Sequence, residues 1–387
     1  MTEPGPRLVP ERLAGVTATL AAHAAECDRA GCFPVPGIAA VHAAGLLTST
    51  VAGRYGGPGS GLAQTVTVLR ALGRGDPSVA LISAMTMFTH AAQARQGDWP
   101  AARYAEVLEE SARRPVLINA LRVEPELGTP ARGGLPGTTA RSARAGWLLT
   151  GRKIYSTGAE RLRWMLVWAR TDERLPRVGS FLVRSGSPGI TVEPTWDHLG
   201  LRASRSDDVI FDGTPVPGDA VIGLAEPAPR AADPVLMAWN SLGLTAIYLG
   251  VARAAQDWLV GFLAERTPTA LGRPLATLPR FQSAVGEISA ALTAADDLVD
   301  GLAVRVDAGD PAAAEHAGIA KLSGTRAAIG AVEQAVALTG NNGLTRKNPL
   351  ERHYRDVLCA RVHTPQDDSV VAAVGSSVLH APIGEAS

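Results

Sequence analysis

Toward its C-terminus the chain carries three stretches, MAWNSLGLTAIYLGVARAAQDWLVGFLAER, FQSAVGEISAALTAADDLVDGLAVRVDA and AEHAGIAKLSGTRAAIGAVEQAVALTG, with apolar residues at three- and four-residue spacing and no internal proline. At 1.5 Å per residue, each predicts a helix of roughly 40 Å. A helix of that length finds apolar cover along its whole length only beside others of similar size. Three of them plus a shorter one predict a four-helix bundle, and their many small residues allow close axial approach.

The rest of the chain has two textures. From Arg12 to about Ala112, alanine-rich segments of helical period are punctuated by FPVPG, RYGGPGSG and GRGDPS, which predicts four to six helices. Near Pro115 the pattern changes to short apolar and β-branched runs (VLINALRV, GWLLTGRKIY, WMLVWAR, VGSFLVR, GITVEP, DDVIFD) separated by turn residues, the signature of antiparallel strands. The expected fold class is α+β. An N-terminal all-α domain (1–114), a small antiparallel β domain (115–225) and a C-terminal four-helix bundle (226–387) follow in that order.

Composition narrows the function. The 387 residues hold 37 basic and 37 acidic side chains, with no basic run or aromatic-basic interleaving, so a nucleic-acid surface is not expected and a small molecule is the expected partner. Cys27, Cys32 and Cys359 lack any C-x-x-C spacing, which argues against a disulfide framework or a zinc site. The eight histidines include no HExxH, so no metal is expected. The N-terminal MTEPGPRLVPERLAG lacks an apolar signal core; the expectation is a soluble, cytoplasmic protein without a membrane partner.

Five ordered motifs carry a family resemblance. LRVEPELGT (121–129) is similar to a T-E-P-x-x-G-S-D loop, with Val123 in place of the threonine and the aspartate absent. GRKIYSTG (151–158) resembles G-x-K-x-W-I-T-N-G, and LGLRASRSDDVIFDGTPVPG holds the spacing of Arg202, Ser204, Ser206, Phe211 and Pro217. ERTPTALGRPLATLPRFQ and LTGNNGLTRKNPLERHYRD complete the set. Together they identify the chain as resembling the acyl-CoA dehydrogenase superfamily of flavoenzymes.

The resemblance implies a flavin, FAD in preference to FMN. It places Val123, Glu124 and Thr129 along the ring, with Tyr155 covering it and Ser156 and Thr157 at its polar edge. Arg266, Gln334, Gly340 and Asn341 would serve the cofactor's diphosphate end, with Gln282 inheriting a position in the same segment. It also places His90 and Met87 on a helix approaching the substrate side, although Met87 reads equally as a core filler. An electron-transfer flavoprotein or a flavin reductase is the implied redox partner, and a homotetramer the implied assembly.

One expected residue is missing. Family dehydrogenases remove an α-proton of an acyl thioester, carried by coenzyme A or a carrier protein, with a glutamate; the position aligned with it is Thr364, preceded by His363. The alternative glutamate site of a second group falls near Asn240. Neither holds a carboxylate, so His363, Thr364 and Asn240 are the candidate catalytic positions, with Asp367 and Asp368 as displaced bases or as helix-opening charges. Histidine titrates near neutrality and suits such a role. RVHTP resembles the corresponding segment of sulfur oxygenases in the monooxygenase branch, which lacks the glutamate. The resemblance favours α,β-dehydrogenation of the acyl thioester with a displaced base; reduced-flavin monooxygenation of carbon, nitrogen or sulfur is the alternative, and a redox-neutral or regulatory flavin-binding role the third reading.

Overall fold

The computed structural model describes residues 10–127, 134–227 and 232–380. Five helices come first: α1 (Pro10–Ala30), α2 (Val35–Ala43), α3 (Leu62–Gly75), α4 (Pro77–Gln96) and α5 (Ala101–Ser111). Eight strands follow: β1 (Leu117–Leu121), β2 (Thr139–Ala143), β3 (Gly146–Lys153), β4 (Leu162–Thr171), β5 (Val178–Arg184), β6 (Ile190–Glu193), β7 (Asp208–Pro217) and β8 (Val221–Ala225). The remaining helices are α6 (Pro234–Glu265), α7 (Pro279–Asp307), α8 (Pro311–Thr339), α9 (Asn341–Leu344), α10 (Leu350–Leu358) and α11 (Asp367–Leu379).

Three helices start the same way. Asp76, Asp233 and Asp310 sit at the N-caps of α4, α6 and α8, each followed by proline, and each carboxylate accepts from a backbone N–H of the first turn. Aspartate satisfies an orphan donor there, and proline loses nothing at a position whose N–H has no intrahelical partner.

The chain forms two compact units. The first takes in the described residues of Met1–Gly61 and Gly75–Ala232. Its sheet runs β6-β7-β3-β2-β4-β5-β8, with β1 added beside β4. The pairs β2/β3, β3/β7, β4/β5, β5/β8 and β6/β7 are antiparallel, whereas β1 and β2 each run parallel to β4. Met165, Val167, Ala169 and Thr171 of β4 are buried in alternation, as a sheet with one packed face requires.

The second unit joins Leu62–Arg74, most of α3, to the described residues of Asp233–Ser387. The long helices α6, α7 and α8 have 32, 29 and 29 residues. Helix α3 meets α6 backbone to backbone: a Cβ on Gly73 would lie 2.3 Å from the Ile247 carbonyl oxygen, and one on Gly250 2.2 Å from that of Arg70. Arg70 then reaches α7, pairing with Asp300 and Asp296. Helix α6 is long and apolar enough to cross a bilayer, yet 72% of its most apolar window is buried inside the protein, as the core helix of a bundle should be.

Candidate functional site

In the first unit a cleft of about 510 Å³ is lined by Pro125, Arg152, Ile154, Tyr155, Thr195, Trp196, His198, Ser206 and Asp208. Tyr155 follows the end of β3, 56% exposed and with φ +55°. A bulky residue in the left-handed region is strained, and such strain gathers where a side chain must be presented. Trp196 and His198 stack with ring centroids 3.7 Å apart, and both meet the Tyr155 ring edge-on, at 6.4 and 6.0 Å.

A chain of hydroxyls lies beside Tyr155. Ser204 and Ser206 are 2.9 Å apart, and Ser206 donates to the Thr157 hydroxyl at 3.1 Å. With Ser206 donating in that direction, the hydrogen of Thr157 is left for another acceptor. The hydroxyl of Ser156 is buried and has no partner among the described residues. Val123 ties this segment to the preceding loop, its carbonyl accepting from Ile154 N at 3.0 Å.

Glu124 serves differently. Its carboxylate accepts from Gly137 N, Thr138 N, the Thr138 hydroxyl and Lys153 Nζ at 2.5–3.0 Å, and Lys153 is fully buried. Burial acts to raise the Glu124 carboxyl, but the bonds from Lys153 and Thr138 prevail and hold it below its usual range; it is an anion inside the protein. Its side chain faces the fold and does not line the cleft. His90 and Met87 are completely buried, and neither lines the cleft. His90 Nδ1 lies 2.9 Å from the Tyr104 hydroxyl, in an aromatic cluster with Tyr55 and Trp99. Thr129 lies outside the described residues.

In the second unit, α6 presents Asn240 and, two turns on, Tyr248, to the segment that follows α10. Asn240 Nδ2 donates to the Thr364 carbonyl at 2.6 Å. The Tyr248 ring is tilted 41° against His363 with centroids 5.7 Å apart. Both the Tyr248 hydroxyl and His363 Nε2 are buried without a hydrogen-bond partner among the described residues. Burial, then the nearby Lys321, lower the His363 imidazole to about 4, so at pH 7 it is neutral. Asp367 accepts from the buried Lys321 at 3.1 Å and from Arg326 at 3.3 Å. Asp367 and Asp368 open α11, whose N-cap residue is Gln366.

The expected cofactor residues of this unit lie on its surface: Arg266, the C-cap of α6, and Gly340 and Asn341 are exposed. Gln334 donates to Glu287 at 3.0 Å, and Gln282 to the Ala276 carbonyl, also at 3.0 Å. Of the expected site residues, Tyr155 lines the cleft with Ser156 and Thr157 next to it in the chain, and Asn240 meets Thr364, the neighbour of His363. The sequence reading passed over Trp196, Tyr248 and Lys321. Only the i, i+8 placement of Tyr248 and Asn240 on one helical face could have signalled any of these.

Residues 14–98, 123–214 and 242–367 match the N-terminal, middle and C-terminal domains of acyl-CoA dehydrogenase. The chain is 33% identical over 352 residues to the putative acyl-CoA dehydrogenase YdbM of Bacillus subtilis, covering 90% of each protein. It is 32% identical over 381 residues to the L-evernosamine nitrososynthase of a Micromonospora species, covering 92% of this chain and 85% of that one. The X-ray structure of KijD3 in complex with FMN and dTDP-3-amino-2,3,6-trideoxy-4-keto-3-methyl-D-glucose superposes with a TM-score of 0.82 at 28% identity, over 97% of this chain and 95% of that one. With all three family domains matched in order and full-length relatives on both its dehydrogenase and nitrososynthase sides, the chain belongs to the acyl-CoA dehydrogenase superfamily.

Proposed function

We propose that this protein binds a flavin and, with the flavin reduced and oxygen present, oxygenates a small molecule at carbon, nitrogen or sulfur. The observation that carries the reading is the state of the acid–base residues. By the family pattern, the two positions where a dehydrogenase keeps its glutamate fall at Thr364 and near Asn240, where this chain has no carboxylate, and the nearby carboxylate of Asp367 is bound by two cations. A carboxylate so engaged is a poor proton acceptor, and general-base catalysis needs a base free to reach the substrate.

The first unit fits a flavin ring. Tyr155 offers an exposed aromatic face, Thr157 a hydroxyl hydrogen aimed by Ser206, and Ser156 a buried hydroxyl in want of a partner. The flavin supplies the electrons for oxygen activation. The first unit's contributions are to cover the ring and donate to its polar edge, and the second unit holds His363 as a neutral imidazole. In that state His363 can donate from one nitrogen and accept at the other without adding a charge to its own surroundings.

FAD is the proposed form, on the exposed Arg266 and the Gly340–Asn341 turn; the FMN found with KijD3 is the competing outcome, and the mass of the flavin released on denaturation decides. Electrons would come from a flavin reductase. The proposed assembly is a homotetramer. Val371, Val374 and Val378 line one side of α11, with Val378 71% and Leu379 82% exposed, an apolar stripe that self-association would cover. Light scattering that gives a flavin-loaded monomer would sink it.

The similarity to YdbM supports the other reading, dehydrogenation of an acyl thioester with His363 as displaced base, and one pair of measurements separates them. Under the oxygenase reading, anaerobic addition of butyryl-, isobutyryl- or octanoyl-CoA leaves the visible flavin band intact. Supplying reduced flavin and oxygen-18 gas to a panel of amino-sugar nucleotides and aromatic heterocycles labels a product. Bleaching by an acyl-CoA, with no label from oxygen, would overturn it. Thr364→Glu restores the carboxylate and should then confer the bleaching that the parent lacks.

A further inference from the structure

The C-terminus of α1 ends in two backbone bonds, Gly31 N to Asp28 O and Cys32 N to Cys27 O, both 3.2 Å, with Gly31 at φ +59°. This is the Schellman arrangement, in which the residue two beyond the cap is brought against the third residue from the helix end, normally as a hydrophobic contact. Here both positions are cysteine. Cys27 is buried, Cys32 exposed, and both are free thiols, and the backbone bond from Cys32 N to the Cys27 carbonyl holds the two residues side by side. We propose that Cys27 and Cys32 form a reversible disulfide when the protein meets hydrogen peroxide, making the end of α1 an oxidative modification site.

The two sulfurs have separate parts. Burial, then Cys32, push the Cys27 thiol up to about 12, so the exposed Cys32 meets the oxidant. Its sulfur attacks one peroxide oxygen, the O–O bond breaks, a sulfenic acid forms and water leaves. The Cys27 sulfur then displaces the sulfenic hydroxyl, which departs as a second water with the Cys27 proton. Two thiols and one peroxide give one disulfide and two waters.

The corner so closed holds a functional loop. The Asp28 carbonyl accepts from Arg202 Nε at 2.9 Å and the Gly31 carbonyl from an Arg205 nitrogen at 3.2 Å. Between and beside those arginines stand Ser204 and Ser206, which aim the Thr157 hydroxyl. The inference does not depend on which reaction the flavin performs, because the peroxide is supplied from outside.

The test uses the purified, flavin-loaded protein treated with a small molar excess of hydrogen peroxide, alkylated and digested with trypsin. Arg29 lies between the two cysteines, so cleavage there separates them unless sulfur joins them. The expected result is a joined Cys27–Cys32 peptide pair, a fall from three free thiols to one, and full reversal by dithiothreitol. Cys32→Ser, at an exposed position, should abolish the pair without loss of folding, and Cys27→Ala should leave a Cys32 sulfenic acid that dimedone traps. Oxidation of Cys32 to sulfinic or sulfonic acid while Cys27 stays a thiol, a bond to Cys359, or no dimedone adduct on Cys27→Ala would each overturn the proposal.

Discussion

Glu124 and the Nε2 atom of His363 are both buried polar groups, but their surroundings are finished to different degrees. The Glu124 carboxylate takes four donors, and Lys153 also reaches the Trp168 carbonyl at 2.6 Å. Around His363 the cation Lys321 is answered by Asp367, while the Tyr248 hydroxyl and the imidazole Nε2 have no hydrogen-bond partner among the described residues. A buried polar atom without a partner is expensive, and native structures tolerate few. The closed network holds the fold in place; the open one keeps donors and acceptors available.

That contrast can be broken, and the largest break should come from the closed side. Lys153→Met leaves a buried carboxylate without its counter-charge and should destabilise the protein by about 3–5 kcal/mol in urea denaturation, whereas adding Glu124→Leu should recover much of the loss. A single variant of near-normal stability would show that water reaches the pair.

On the open side the order reverses, with chemistry suffering more than stability. His363→Ala is expected to lower turnover by roughly 10²-fold, the usual scale for a group that moves a proton, at nearly unchanged melting temperature and flavin content. If the melting temperature drops while turnover per folded molecule holds, His363 is a structural residue.

Acid offers a third handle. Burial lowers the His90 imidazole to about 4; burial and then Arg352 lower that of His353 to about 3. A folded pKa below the unfolded value of about 6.5 means that the unfolded chain binds more protons. The stability contributed is therefore complete above pH 6.5 and lost as pH falls toward 4, at about 1.4 kcal/mol per pH unit for each histidine. His90→Gln should flatten the slope measured by chemical denaturation between pH 6 and 4; an unchanged slope would mean that the loss lies elsewhere. The smallest effect is expected from Tyr248→Phe, which removes a hydroxyl with nothing to lose and should shift stability by less than about 1 kcal/mol. A larger loss would reveal a partner, such as an ordered water, at that hydroxyl.

What the sequence disclosed follows from how local each signal is. The long helices were readable because their apolar period is written within a few residues. Tyr155, Ser156 and Thr157 were readable because GRKIYSTG is contiguous. Lys153 stood in the same motif, yet its partner Glu124 is 29 residues away, and nothing in either segment says that the two are buried together. Asn240 and Thr364, 124 residues apart, were joined only through the family pattern. Trp196 and His198 lie in a loop without period, and their stacking on each other is a fact of three-dimensional packing.

The Gly73–Gly250 crossing bears on how genes of this family can be recombined. A helix whose backbone lies against another's cannot be exchanged without its mate, because a relative with any larger residue at either glycine would push the two apart. A chimera that swaps the first hundred residues as a block would divorce α3 from α6. One that leaves 62–74 with the parent of the C-terminal helices, taking its junctions at the ends of that segment, keeps the pair as inherited.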